Sequence, residues 1–299
     1  MTALPISAAQ QATCSGNLDT TFVTLGPAKT AFLGVVQGVS ELLPISSTAH
    51  MRAVPAFLGW PDPGSAFSAA MQLAALAAVI AYFWREIATI AAGSLVAIGT
   101  GHWANRELRL AFAIVIATIP IGLAGLALTN ILNQCNSPLR TPTVIGIACF
   151  LMALFMGGAE LFARHRRGAE KLTIVDALTI GIAQVGALVP GFSRSGSTLT
   201  AALALGFQRA DAARVSFLLG IPAIALAGGR ELWLLHKAGL PSAGWEVLGI
   251  GLLTSSLSAF IAIWALMRFL ENFSTWPLVI YRALFGLLLV AGAALHWIQ

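Results

Sequence analysis

The sequence predicts an all-α protein that crosses a membrane several times and is built from two copies of one helical unit. Three features of the chain carry this. It is 58% hydrophobic and 10% charged, where a soluble domain has roughly 25% charged residues, and its mean hydropathy is +0.83. Long apolar stretches lie near 66–84, 110–130, 143–163, 215–235, 247–267 and 277–298, each about the ~20 residues that a helix needs to span a bilayer. Two further apolar segments, near 30–58 and 177–205, are broken by polar clusters, with Pro44 in one and Pro190-Gly191 in the other.

The two broken segments match each other. A shift of 147 lays Gly34-Val35-Val36-Gln37 on Gly181-Ile182-Ala183-Gln184, and Ser46 on Ser193. Downstream, Arg85-Glu86 matches Arg230-Glu231, and Pro142-Thr143-Val144-Ile145 matches Pro277-Leu278-Val279-Ile280. Four matches in one order, with a slowly drifting offset, indicate an internal duplication with repeats over about 29–163 and 176–299. Each repeat reads as one broken segment followed by three spans. If the broken segment is a re-entrant helix hairpin that enters and leaves on one face, each repeat crosses three times. The second repeat is then inverted relative to the first. Residues 1–28 read as a polar N-terminal tail without a basic signal-peptide start, and 29–299 as a single membrane domain.

Loop charges test this arrangement. One side receives Arg85, Arg106, Arg109, Arg164, Arg166, Arg167, Lys171, Arg209, Arg214 and Arg268. The side that holds both termini receives Lys29, Arg52, Arg140, Arg230 and Lys237. Ten cations against five put the first side in the cytoplasm and both termini outside. A net charge of +5 suits loops that face anionic lipid. No basic run with interleaved aromatics is present, so a nucleic-acid partner is not expected. Cys14, Cys135 and Cys149 lack the spacing of a metal or redox motif. Trp60, Trp84, Trp103, Trp245, Trp276 and Trp297 lie near span ends, as an aromatic belt requires.

The chemistry concentrates in the two breaks. The first reads GVSELLPISSTAH over 38–50. Gln37 and Glu41 are spaced i, i+4, on one helix face. After Pro44, the hydroxyls Ser46, Ser47 and Thr48 begin a new helical stretch, where such residues cap. Capping alone accounts for Ser46 and Thr48. It leaves Glu41 and His50 unexplained, because an ionisable group within an apolar hairpin needs a partner or a metal. The second break reads VPGFSRSGSTLT over 189–200, and Arg194 is its one charge. Free amides at a helix start, serines and a fork-shaped guanidinium make an anion site, with phosphate the best match. The competing role for Arg194 is a purely structural ion pair with Glu41. Arg282, within an apolar span, reads as structural, with Glu160, Glu271 or a backbone carbonyl as its partner.

Brought together, the tips hold an inventory for phosphoryl transfer. Arg194, Ser193 and Ser195 form a clamp. Ser47 is the first candidate nucleophile and Ser46 the second. Glu41, with Gln37, offers a base or a metal ligand, and His50 offers a proton donor or acceptor. Zinc-hydrolase spacings are absent.

QGVSELLPISSTAH and PGFSRSGST closely resemble the two signature motifs of the bacterial undecaprenyl-diphosphatase (bacitracin-resistance protein) family. The similarity runs from about residue 29 to the C-terminus and includes SFLLGIP at 216–222 and the late PLVIYR. The resemblance implies a multi-pass enzyme of the bacterial inner membrane with paired re-entrant hairpins. Such an enzyme removes the terminal phosphate of undecaprenyl diphosphate and so recycles the lipid carrier for peptidoglycan synthesis. It also implies bacitracin resistance and a divalent cation, Mg2+ or Ca2+. By position, Glu41, Ser47, His50 and Arg194 fall on the family's catalytic residues, and Glu41 would be the metal ligand. Ser46, Ser193, Ser195 and Thr198 fall on its phosphate-surrounding positions, next to Gln37 and Thr48. Gln37 stands where many members carry Glu, and Ala49 where Gly is usual before the His. The expected partners are the lipid diphosphate and membrane lipids, with a homodimer left open.

Two rivals are weighed against this reading. A secondary transporter for a phosphate or lipid-phosphate anion also uses inverted repeats with discontinuous helices, but has no need of a nucleophile and proton relay. The lipid phosphatases with a histidine nucleophile require a His after the Ser-Arg pair, and SRSGSTLTAALALGF contains none.

Overall fold

The computed structural model describes residues 14–15, 18–128 and 138–298; residues 1–13 of the polar tail and Cys135 lie outside them. Apart from a short antiparallel pair, Cys14–Ser15 with Leu18–Asp19, and isolated 3-10 turns, the described chain is helical. The helices are α1 (Gly26–Leu42), α2 (Ser47–Phe57), α3 (Gly64–Tyr82), α4 (Trp84–Thr100), α5 (Arg106–Ala127) and α6 (Pro142–Phe162). They continue with α7 (Ile174–Gln184), α8 (Arg194–Ala204), α9 (Arg209–Lys237), α10 (Ser242–Asn272) and α11 (Trp276–Ala294). Six of these, α3, α5, α6, α9, α10 and α11, are long and apolar enough to cross a membrane. They coincide with the six apolar stretches expected from the sequence.

Local chemistry sets the boundaries. Asn105 caps α5 by accepting from the Leu108 amide at 3.1 Å, and Thr141 caps α6 ahead of Pro142 at its first position. Thr173 and Asp176 form a reciprocal capping box at the start of α7. Arg167 fixes the same corner through Asp176, at 2.6 and 3.1 Å. The tail reaches the core as well: Phe22 is fully buried and stacks on Phe67 with ring centroids 5.1 Å apart.

The packing pairs the two halves. α1 lies along α10, and α7 along α5; α3 packs on α9 and α10, and α9 in turn on α5; α6 crosses α11. Small residues make these approaches close, as helix pairs in lipid require. A Cβ at Gly34 or Gly38 would sit about 2 Å from Thr254 Oγ1 or Ser258 Oγ of α10. At the α6–α11 crossing, a Cβ on either Gly146 or Gly286 would meet the other's carbonyl at 2.7 Å.

α4 was not among the expected spans. Its 17 residues reach only about 25 Å. It buries Ile90, Ser94 and Ala97 while Leu95, Val96 and Ile98 stay exposed. Gly and Ser within 92–94 lower its mean hydropathy, which hides it from a search for long apolar runs.

Candidate active site

Both breaks have the same construction. α1 ends at Leu42 and α7 at Gln184, the latter running on into a 3-10 turn over Val185–Leu188. The chain then reverses and restarts as α2 and α8, each 11 residues long. The N-caps are Ser46, with φ of 75°, and Ser193, with φ of 67°. The left-handed region costs a non-glycine residue about 1–3 kcal/mol and persists where surroundings over-determine it. Here each serine Oγ accepts from the amide three residues on, Ala49 at 3.4 Å and Gly196 at 3.2 Å. The strain is held where helix starts and free amides meet.

The tips interlock. Ser195 Oγ donates to the Glu41 carbonyl at 3.0 Å and contacts that of Leu43 at 3.3 Å. Glu41, buried with 5% exposure, is the centre of the cluster. Its Oε2 accepts from Ser47 Oγ at 2.5 Å and from Gln37 Nε2 at 3.0 Å, and its Oε1 accepts from Arg194 Nη2 at 3.2 Å. Residues 153 apart in sequence thus share one carboxylate. Two buried groups remain unspent among the described residues: Arg194 Nε has no acceptor and Gln37 Oε1 no donor. Unsatisfied buried polar atoms are costly, and here they border one charged cluster that an anion and a cation would complete.

The remaining candidates divide. Ser193 Oγ lies 3.2 Å from Ser195 Oγ, at the rim of the cluster. Thr198 is fully buried and turns toward α9, where its Oγ1 lies 2.5 Å from Ser216 Oγ and 2.8 Å from the Arg194 carbonyl. It fixes the clamp helix rather than lining the cluster. Thr48 lines a small pocket with Arg52, Asp62 and Arg140; Arg52 pairs with Asp62 there. His50 stands apart from Ser47. Its Nδ1 donates to the Ser46 carbonyl at 2.8 Å, and its Nε2 meets Tyr281 Oη at 2.7 Å. A carbonyl only accepts, so Nδ1 carries a hydrogen, which leaves Nε2 for the phenol. Phe285 stacks on the ring with centroids 4.2 Å apart.

Two contributors escaped sequence reasoning. Tyr281 is one of only two tyrosines in the chain, and its hydroxyl within an apolar span was the available signal. Gly220 in α9 leaves space for the clamp: a Cβ there would lie 2.1 Å from Arg194 Nη1. A glycine inside a span carried no signal by itself. Arg282 does not pair with Glu160, which is held by Arg209 at 2.5 and 2.9 Å and by Thr275 at 2.8 Å. It bonds backbone carbonyls instead.

The donor set bears on a divalent cation. Among the described residues no cluster of three or more His, Cys, Asp or Glu forms, so an all-protein cage is absent there. Glu41 and the free Gln37 Oε1 offer two oxygens. That fits an ion such as Mg2+, which keeps waters and binds through one or two protein oxygens plus substrate phosphates.

Comparison with known proteins identifies the chain's relatives. The chain is 62% identical to "Undecaprenyl-diphosphatase 2" of Mesorhizobium japonicum over 263 residues, 88% of this chain and 100% of that protein. It is 48% identical to an undecaprenyl-diphosphatase of Gloeobacter violaceus over 266 residues, covering 89% and 91%. A third relative so named, from Trichormus variabilis, is 43% identical over 268 residues, covering 89% and 84%. Residues 30–288 match the model for the bacitracin resistance protein BacA, and the chain belongs to that family of multi-pass membrane proteins.

Proposed function

We propose that the protein hydrolyses undecaprenyl diphosphate to undecaprenyl phosphate and inorganic phosphate in the bacterial inner membrane. The observation that carries this is Ser47 Oγ at 2.5 Å from a carboxylate that Arg194 also holds. Glu41 takes the Ser47 proton as Oγ attacks the terminal phosphorus, and the bond to the bridging oxygen breaks. The prenyl phosphate leaves, and water then opens the phosphoserine to release phosphate and restore Ser47. Arg194 exchanges its bond to Glu41 for phosphate oxygens, with Nε and a terminal nitrogen as a paired donor. Ser193 and the amides at the start of α8 add donors at that helix's positive end, while Ser195 ties the two tips together through the Glu41 carbonyl. A cation bound by Glu41 and Gln37 would neutralise charge that develops on the phosphoryl oxygens. His50 and Tyr281 supply a relay site for the proton returned to the leaving phosphate. A groove of about 580 Å3 along α6 and α8, lined by Phe155, Phe162 and Phe192 among others, is an apolar surface for a prenyl chain beside the second tip.

The shared hairpin construction and the pairing of α1 with α10 and α7 with α5 support an inverted repeat. Together with the loop charges, this favours an orientation with the termini and the mouth of the site outside. Arg167 is engaged with Asp176, so exposed Arg166 is the better reporter. In a chain whose Cys14 and Cys135 are replaced by serine, Arg166→Cys should resist a membrane-impermeant thiol reagent in intact cells and react after permeabilisation. Reaction in intact cells would invert the orientation.

Phosphate release from undecaprenyl diphosphate by the purified protein tests the reading. Release is expected in wild type, lost with chelator and restored by Mg2+ or Ca2+. It should vanish in Ser47→Ala. Full activity in that variant would make water the nucleophile and Ser47 a cap. Binding of the lipid without release would favour a carrier.

A further inference from the structure

Arg282 lies in α11 and is fully buried. Its guanidinium spends its donors on backbone alone. Nη1 donates to the Pro44 carbonyl at 2.7 Å, and Nη2 to those of Gly191 and Phe192, both at 2.6 Å. Nε donates to the Cys149 carbonyl of α6 at 3.2 Å. Pro44 is the break of the first hairpin, and Gly191-Phe192 the break of the second. A broken helix leaves carbonyls without partners, and each costs several kcal/mol where water is excluded. One planar fork satisfies such carbonyls from both tips and ties them to the α6–α11 crossing, whose glycines bring the two helices together.

Among the described residues the cation has no carboxylate within ion-pair distance, and it makes no hydrogen bond to the Glu41, Ser47 or Arg194 side chains. It also lies under the first turn of α8, where a Cβ at Gly196 would be 2.5 Å from Nη1. A buried ion without a counter-ion is expensive. If it served stability alone, a neutral donor would serve at lower cost. A fork that holds three carbonyls from two separate loops instead fixes a distance, and reaction rates respond to distance steeply.

We propose that Arg282 is a positioning residue for phosphoryl transfer: it sets the spacing between the two hairpin tips, and thereby between Ser47 with Glu41 on one and Arg194 on the other. This rests on the phosphatase reading. Lysine keeps the charge but reaches fewer carbonyls and cannot span the three.

The test uses purified full-length protein, active-fraction corrected and monodisperse by size exclusion, with undecaprenyl diphosphate as substrate. Arg282→Lys should lower kcat by about 100-fold while KM stays within about threefold, because the residue orders the reacting groups without touching the lipid. Arg282→Met should lose more, so that Lys counts as partial rescue. If these variants do not fold, Gly196→Ala probes the same contact by displacing Nη1, and its kcat should drop at least about tenfold with KM again little changed. A folded Arg282→Lys or Gly196→Ala protein that turns over within threefold of wild type overturns the proposal, as does a loss carried wholly by KM. Wild type that releases no phosphate overturns the phosphatase reading itself, and the positioning role with it.

Discussion

The two hairpin tips share a backbone and differ in chemistry. α2 and α8 have equal length, start 147 residues apart and are capped by serines in the same unusual conformation. That shift lays Glu41 on Leu188, Ser47 on Arg194 and His50 on Ser197. Gln37 bonds to Glu41, while the matching Gln184 is buried with neither amide atom paired among the described residues. What the tips share is geometry: a helix start with free amides, presented within an apolar bundle. In the proposed reaction, side-chain replacements on that shared backbone give proton transfer to one tip and charge neutralisation to the other. Glu41 is bonded by residues of both tips.

Altering the charge-holding tip should have the largest effect. Arg194→Lys keeps the charge and loses the paired donor, so kcat/KM should fall about 10²–10³-fold with the fold intact. Steady-state kinetics on protein of unchanged thermal stability checks it. Near-normal turnover would reduce the second tip to a structural ion pair and dissolve the division of roles.

Gly220→Ala sharpens the same point without touching a tip. The added methyl group would sit 2.1 Å from Arg194 Nη1, so the guanidinium must move. A misplacement near 1 Å can cost up to about 100-fold, and the loss should resemble that of Arg194→Lys in kind, though smaller. A kinetic profile unlike the Arg194 variant would separate Gly220 from the clamp.

The smallest effect belongs to the first tip's outer partner. Tyr281→Phe removes one hydrogen bond to His50, worth about 1 kcal/mol, and should slow turnover by roughly five- to tenfold. His50→Ala should cost more. Equal losses would make the phenol, rather than the ring, the group that matters.

Much of this was legible in the sequence, for identifiable reasons. The spans followed from composition, because lipid requires long apolar helices. The tips followed from polar residues that apolar surroundings do not tolerate without purpose. What stayed hidden depended on packing. The sharing of one carboxylate by Ser47, Gln37 and Arg194 requires the tips to meet, and spacing within either motif does not say which atoms face. Sequence proximity joined His50 to Ser47, but three residues on a helix turn His50 toward α11 and Tyr281. Thr198 sits one turn from Arg194, yet its hydroxyl is spent on Ser216. α4 escaped because its 17 residues fall short of a span and Gly93 and Ser94 interrupt its apolar run.

If groups from both tips act on one diphosphate, Ser47 and Arg194 are coupled, and a double-mutant cycle between them measures that coupling. Phosphate release from undecaprenyl diphosphate would be measured for Ser47→Ala, Arg194→Ala and the pair. Groups that act as a unit are strongly non-additive, so each single change should cost about 10³-fold or more, and the pair at most about tenfold beyond the worse single change. Losses that multiply in full would show two independent tips and contradict the account.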